Sequence, residues 1–296
     1  MSGPPRPTRQ LIVSGDDFGA APEVNAGVVR AHRDGVLTAT SLMVTGAAAD
    51  EAVSLARHHL RLAVGLHLVL AQGRAAAPPA DIPRLATPAG AFGRRPVWLG
   101  FRYAWLGVSA AGRRELRREI VAQLDAYMAT GLALTHVDGH LNMHLHPMVL
   151  AILLELAPHY GIRAMRLPRE RLGLALRRER AHAARKVAEG AVFRLLGAYA
   201  APRLRTAGIA FAEQVYGLHQ SGHVDEAYVL AVIGDLPAGV SELYCHPADG
   251  TPAALAPDQP GYDHAGELAA LTGPRVRRAL ADSGVELTSY AALARR

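Results

Sequence analysis

Burying a carboxylate is costly, yet the apolar run Leu11-Ile-Val-Ser-Gly-Asp-Asp-Phe-Gly19 ends on two in succession, Asp16 and Asp17. Histidines recur at comparable places: His67 within Leu66-His-Leu-Val-Leu70, and a dense set within Thr135-His-Val-Asp-Gly-His-Leu-Asn-Met-His-Leu-His-Pro147. Carboxylate and imidazole together form the donor set of a divalent metal site. A single histidine in an apolar strand, such as His67 alone, is more often a hydrogen-bonded core residue than a ligand. The cluster His136, Asp138, His140, His144 and His146 exceeds what packing requires, and with the acidic pair it points to a metal. A catalytic ion keeps three protein ligands and an open position, so some of these groups must serve as substrate contacts or proton carriers. Two imidazoles and one carboxylate suit zinc, iron, cobalt or nickel better than magnesium, which prefers oxygen.

Side chains of neighbouring residues point in different directions, so one aspartate of the pair is expected to ligate and the other to act as a base. Glycosidase carboxylates stand about 5–9.5 Å apart across the scissile bond, a spacing that adjacent residues do not naturally present. His246, in Leu243-Tyr-Cys-His-Pro-Ala-Asp249, is a candidate general acid or a loop cap. Cys245 lies inside an apolar run and lacks any signature of activation. The chain carries no nucleophile elbow, phosphate-binding glycine loop or dinucleotide fingerprint.

The elements that position these groups alternate between short apolar runs and amphipathic segments. Residues 11–15, 37–44, 62–70, 132–138, 162–167, 208–218, 240–246 and 285–289 read as strands, with helices opened by Pro22 and Pro147 and stopped at Gly35 and Gly161. Such alternation gives an α/β fold with a parallel sheet, and about seven or eight strands suggest a closed or nearly closed barrel. Each unusual polar residue then falls at the C-terminal end of its strand, the rim that carries active sites in these barrels. The stretch from Ala75 to Pro88 reads as a long surface loop, and residues 1–9, polar and proline-rich, are expected to be flexible.

A chain of 296 residues, half of them hydrophobic, fits one domain spanning residues 1–296. Its net charge of +6 suits an anionic surface or substrate, but no nucleic-acid-binding motif is present. A single cysteine, no apolar leader in the opening residues and no run long enough to span a bilayer lead to the expectation of a cytoplasmic protein.

The motifs Ser14-Gly-Asp-Asp-Phe-Gly19, Asn25, Leu37-Thr-Ala-Thr-Ser-Leu-Met43, Gly65-Leu-His67, His136-Val-Asp-Gly-His140, Arg166-Leu-Pro168 and His246-Pro247 together resemble the YdjC-like carbohydrate deacetylases. Within them, His140–Pro147 and Gly261–Val276 are most similar to the hopanoid-biosynthesis-associated branch called HpnK. The resemblance implies a (β/α)7-8 barrel, distorted and TIM-like, related to polysaccharide deacetylases. It further implies removal of the N-acetyl group from an amino sugar, here an N-acetylglucosaminyl hopanoid glycoside, with one divalent ion, zinc or magnesium. Carried over, Asp17, His67 and His140 would hold the metal, Asp16 would be the base and His246 the acid. Arg166, His144, Asp138 and Asn142 would contact substrate. The chain departs from the family at Gly15, where alanine is common and would be tolerated sterically, and at Asn142, where histidine is frequent.

Both tryptophans fall in one basic, aromatic stretch, residues 92–112, where Trp98, Phe101 and Trp105 interleave with arginines. That composition suits a lid, a subunit contact in a homodimer, or a membrane interface. A second basic stretch, 169–206, reads as another amphipathic cover. A hopanoid body must stay near the bilayer while its sugar reaches the metal, so peripheral contact with the inner face of the membrane is expected through these segments. Deacetylation of soluble chito-oligosaccharides, a non-catalytic hopanoid-binding or assembly protein, and a metal-dependent phosphoesterase are the alternatives; the last lacks the further carboxylates of a two-metal site.

Overall fold

The computed structural model describes residues 8–178 and 183–295. Residues 1–7, most of the opening stretch expected to be flexible, and residues 179–182 of the second basic stretch lie outside the described residues. Seven strands are described: β1 (Arg9–Phe18), β2 (Ala39–Leu42), β3 (Ala63–Leu68), β4 (Val137–Gly139), β5 (Gln214–Tyr216), β6 (Gly239–Cys245) and β7 (Val285–Thr288). They form a parallel sheet in the order β4-β3-β2-β1-β6-β5. Along its other edge β1 pairs first with β7, through Arg9–Ile12, and then with β2, from Ser14 onwards. From Leu11 to its end β1 is buried throughout, as expected for a parallel strand covered on both faces.

The sheet curls, and its two edges approach through isolated bridges rather than a ladder. Val137 pairs with Met165, and Ala164 pairs with Ala210. Residues 162–167, expected to be a full strand, therefore contribute two bridges only. The run ends at Pro168, which has no N–H to extend a ladder. The expected strands 132–138 and 208–218 shorten likewise to β4 and β5.

Helices pack outside the sheet where their punctuation places them. Pro22–Asp34 and Pro147–Tyr160 both begin on proline, and the second stops at Gly161 with φ 66°, the left-handed cap that glycine adopts without strain. The loop after β3 is less superficial than its composition suggests. Ile82 and Leu85 are buried, and Glu119 of the helix Ala110–Ala129 accepts hydrogen bonds from the N–H groups of Ala76 and Ala77. Gly65 is required by contact: a Cβ there would lie 2.4 Å from the His136 ring. At Gly15 a Cβ would meet Leu37 Cδ1 at 2.9 Å, so alanine fits only if that leucine end moves. No described helix is long and apolar enough to cross a membrane.

Candidate functional site

Consecutive strand residues normally face opposite sides of a sheet, and β1 escapes that rule at its end. The β1–β2 register shifts between Gly15 and Phe18, and Asp17 sits at φ 63°. This bulge aims both aspartates into the curl of the sheet, each at a different partner. Asn25 secures the turn that follows, accepting from Gly19 N–H at 2.8 Å and donating to Ala48 O at 3.0 Å.

Asp17 faces the two histidines. Its Oδ1 lies 3.3 Å from His67 Nε2 and 3.0 Å from His140 Nδ1, and all three side chains are buried. These atoms are close enough together to share one cation. His67 Nδ1–H donates to Asp138 Oδ1 at 2.8 Å, which leaves Nε2 as the free nitrogen; it is buried without a hydrogen-bond partner. An orphaned imidazole nitrogen facing a carboxylate and a second imidazole is the donor set of a catalytic zinc-type site, so these residues fit the metal that the sequence implies. A second cluster, Asp16, His67 and Asp138, is also compact, but the Arg166 guanidinium already occupies it as its cation.

Electrostatics follow from this crowding. Burial alone would raise the Asp17 carboxyl, but His140 and His67 hold it well below the usual range. Burial would likewise lower His67, yet Asp138, Asp17 and Asp16 push it up to about 10. Ligation through Nε2 therefore competes with protonation of the same nitrogen, which the surrounding carboxylates favour. His140→Ala is expected to reduce bound metal from about one equivalent to a small fraction in elemental analysis; full occupancy would refute its ligation.

Asp16 has a different partner. Arg166 donates through Nη1 and Nη2 to its two oxygens at 2.6 and 2.7 Å, while Nε donates to Glu242 Oε1 at 3.0 Å and Nη1 lies 2.8 Å from Asp138 Oδ2. The guanidinium also stacks 4.5 Å over the Tyr244 ring. Arg166 and Asp138, expected at the substrate, are thus fully buried and spent on each other, on Asp16, on His67 and on Glu242. His144 is also withdrawn: its Nε2–H donates to Arg166 O at 2.9 Å, and burial lowers it to about 4. Asn142 does reach the cavity, on a backbone at φ 55°. His136, buried and stacked on Tyr290 at 4.1 Å, is lowered to about 3 and stays neutral.

His246 lines the opposite wall. Burial lowers it, outweighing the pull of Asp17 and Asp16. Its backbone N–H donates to Glu267, a buried carboxyl raised by burial to about 7. Cys245 is buried and raised well above the thiol range by burial, so it is no nucleophile.

A cavity of about 820 Å³ opens from Asp16, His67, His140 and His246. Its far walls are Val97 and Phe101 from the helix Pro96–Val108 and Val192, Phe193 and Leu196 from the helix Ala183–Thr206. The two stretches read as covers are therefore walls of one chamber. Gln72 and Gln259, which the sequence reading missed, also line it. Gln72 could have been flagged only by its backbone: four described non-glycine residues have positive φ, Asp17, Gln72, Leu141 and Asn142, and each is a candidate ligand or lines the cavity. Backbone strain concentrates at such sites.

The carbohydrate deacetylase of Geobacillus stearothermophilus is 32% identical over 284 residues, covering 95% of this chain and 97% of that protein. The mouse carbohydrate deacetylase is 33% identical over 295 residues, covering 95% and 94%. The Brevibacillus brevis carbohydrate deacetylase reaches 42% over 153 residues, 52% of this chain and 57% of that protein. Among solved structures, an Enterococcus faecalis V583 protein named for cellobiose-phosphate cleavage shares the fold, with a TM-score of 0.72 at 24% identity over 97% of this chain and 99% of that one. A model of the YdjC-like protein family matches residues 10–282, and the chain belongs to that family.

Proposed function

We propose that the chain hydrolyses the N-acetyl group of an amino sugar, and that its substrate is an N-acetylglucosaminyl hopanoid glycoside. The relatives' deacetylase activity supports the reaction. The observation that carries the substrate is the cavity of about 820 Å³, in which polar groups at the strand ends give way to largely apolar helix walls suited to a hydrocarbon body. On this reading the curled sheet works as a distorted (β/α) barrel, with its bridges completing the ring.

Asp17, His67 and His140 would hold one divalent ion, which when bound polarises the acetamide carbonyl and lowers the pKa of a water towards about 7. Asp16 accepts the proton of the attacking water. Each of its oxygens keeps a second lone pair beyond the Arg166 hydrogen bond, so proton transfer does not require the ion pair to open. Arg166 also fixes the carboxylate's direction. His246 delivers a proton to the departing nitrogen as the C–N bond breaks, releasing acetate and the free amine. Burial disfavours the charged form of His246, so the proton it passes on is the one that Asp16 takes from the attacking water. Asn142, which lines the cavity, would contact the sugar.

The test is acetate release, with mass spectrometry of the product, from the hopanoid glycoside and separately from diacetylchitobiose. Turnover of the lipid glycoside is the expected result. Turnover of the chitobiose alone would overturn the substrate, and bound lipid without acetate release would overturn the reaction.

Trp98, Trp105 and Val108 are exposed on the same helix without lining the cavity, next to Val97 and Phe101, which line its mouth and are themselves exposed, and Arg102 lies 5.3 Å over the Trp98 ring. We read this face as the contact with an anionic bilayer from which the lipid enters. The Trp98→Ser, Trp105→Ser double variant is expected to weaken vesicle binding on the order of tenfold or more, since burying one large apolar side chain is worth about 1.5–3 kcal/mol. Flotation of wild-type protein showing no binding to anionic vesicles, or lipid turnover unaltered in the double variant, would refute that contact.

A further inference from the structure

Each of the three ligand atoms requires a group to orient it, and only His67 obtains one from the acidic network, through Asp138. Asp17 and His140 obtain theirs from two loop glutamines. Gln259 is buried between β6 and the helix His264–Thr272, and its Nε2 donates to Asp17 Oδ2 at 2.5 Å. The two oxygens of Asp17 are thereby divided: Oδ2 belongs to Gln259, and Oδ1 faces both histidines. Gln259 Oε1 is buried without a partner, so its carboxamide is held in place through its N–H alone.

On the other side, Gln72 Nε2 donates to Arg94 O at 3.2 Å, which turns Oε1 towards His140 Nε2 at 3.3 Å. An acceptor there requires a proton on Nε2, and the neutral ring then presents the Nδ1 lone pair towards Asp17 and His67. Gln72 holds this position at φ 50°, a strained backbone for a residue with a side chain. The two loops are joined where Arg94 Nη2 meets Asp258 Oδ1 at 2.6 Å, one residue from Gln259.

We propose that Gln259 and Gln72 are positioning residues for the metal, Gln259 restricting Asp17 to one-oxygen ligation and Gln72 fixing the ligating nitrogen of His140, with the Arg94–Asp258 pair locking the two together. This rests on the reading that Asp17, His67 and His140 hold the ion. It does not depend on the identity of the sugar.

The test is a competition titration of metal-stripped protein with Zn²⁺ and a chromophoric chelator, alongside the visible spectrum of the Co²⁺-loaded protein, with no substrate present. Gln259→Leu, nearly equal in size but without a donor, and Gln72→Leu are each expected to bind Zn²⁺ about 10- to 100-fold more weakly. In Gln259→Leu the Co²⁺ bands should also lose intensity as the freed Oδ2 adds a bond. Wild-type affinity in Gln259→Leu, or weakened binding with an unchanged spectrum, would overturn the role of that residue; the second result would leave it a structural part of its loop. Asp17→Asn and His140→Ala separate the two levels. If they also bind like wild type, the metal site itself is misplaced; if they lose Zn²⁺ while both leucine variants retain it, only the positioning roles fail.

Discussion

Asp16→Asn is expected to lower turnover about 10²- to 10⁴-fold while metal content stays near wild type. The expectation comes from how the bulge in β1 separates the two aspartates. Asp17 turns to His67 and His140, whereas Asp16 turns to Arg166 and still lines the cavity. An asparagine at position 16 would set an N–H against the guanidinium, losing one hydrogen bond along with the negative charge. Some stability is lost with it, so melting temperature should be measured beside kcat and elemental metal content. Activity within tenfold of wild type, with metal bound, would remove Asp16 as the base.

Arg166→Met should destabilise the fold by about 3–5 kcal/mol, because it strands three buried carboxylates: Asp16, Asp138 and Glu242. In the native protein burial opposes the guanidinium's charge, and the carboxylates Asp138, Asp16 and Glu242 more than compensate. Glu242 is raised by burial, although Arg166 and the Tyr290 hydroxyl both favour its ionised form. The melting temperature is expected to fall on the order of 10 °C. Arg166→Lys should recover little, since an ammonium cannot reproduce the fork that grips Asp16 while also reaching Glu242. A thermal or urea transition indistinguishable from wild type in the methionine variant would refute the network's structural role.

Much of the candidate site was legible in the chain because its chemistry is local. Asp17, His67 and His140 stand out as polar residues in or beside apolar runs, and the parallel strands bring them to one end of the sheet. Helix boundaries at Pro22, Pro147 and Gly161 were legible for the same reason, each being a property of one residue's backbone. What could not be read depends on distance. Arg166 meets Asp16 across 150 positions, and nothing around it separates a substrate contact from a buried counter-ion. Glu242 is a single acidic residue in an apolar strand, and only the curl of the sheet sets it against Arg166. Gln72 and Gln259 lie in segments without periodicity, where position follows from loop conformation rather than pattern. Residues 162–167 carried an apolar run, but a short one closed by Pro168 makes bridges and no ladder.

β1 is gripped along both edges, by β6 on one side and by β7 and β2 in succession on the other. The acids therefore ride on a strand paired along both edges, whereas the apolar wall of the cavity comes from helices outside the sheet. Reactivity and selectivity are thus inherited separately. Substitutions at Phe101, Val192 or Leu196 can reshape the guest that fits without displacing the atoms that cut it, which gives a lineage built on this scaffold room to exchange its cargo while conserving its chemistry.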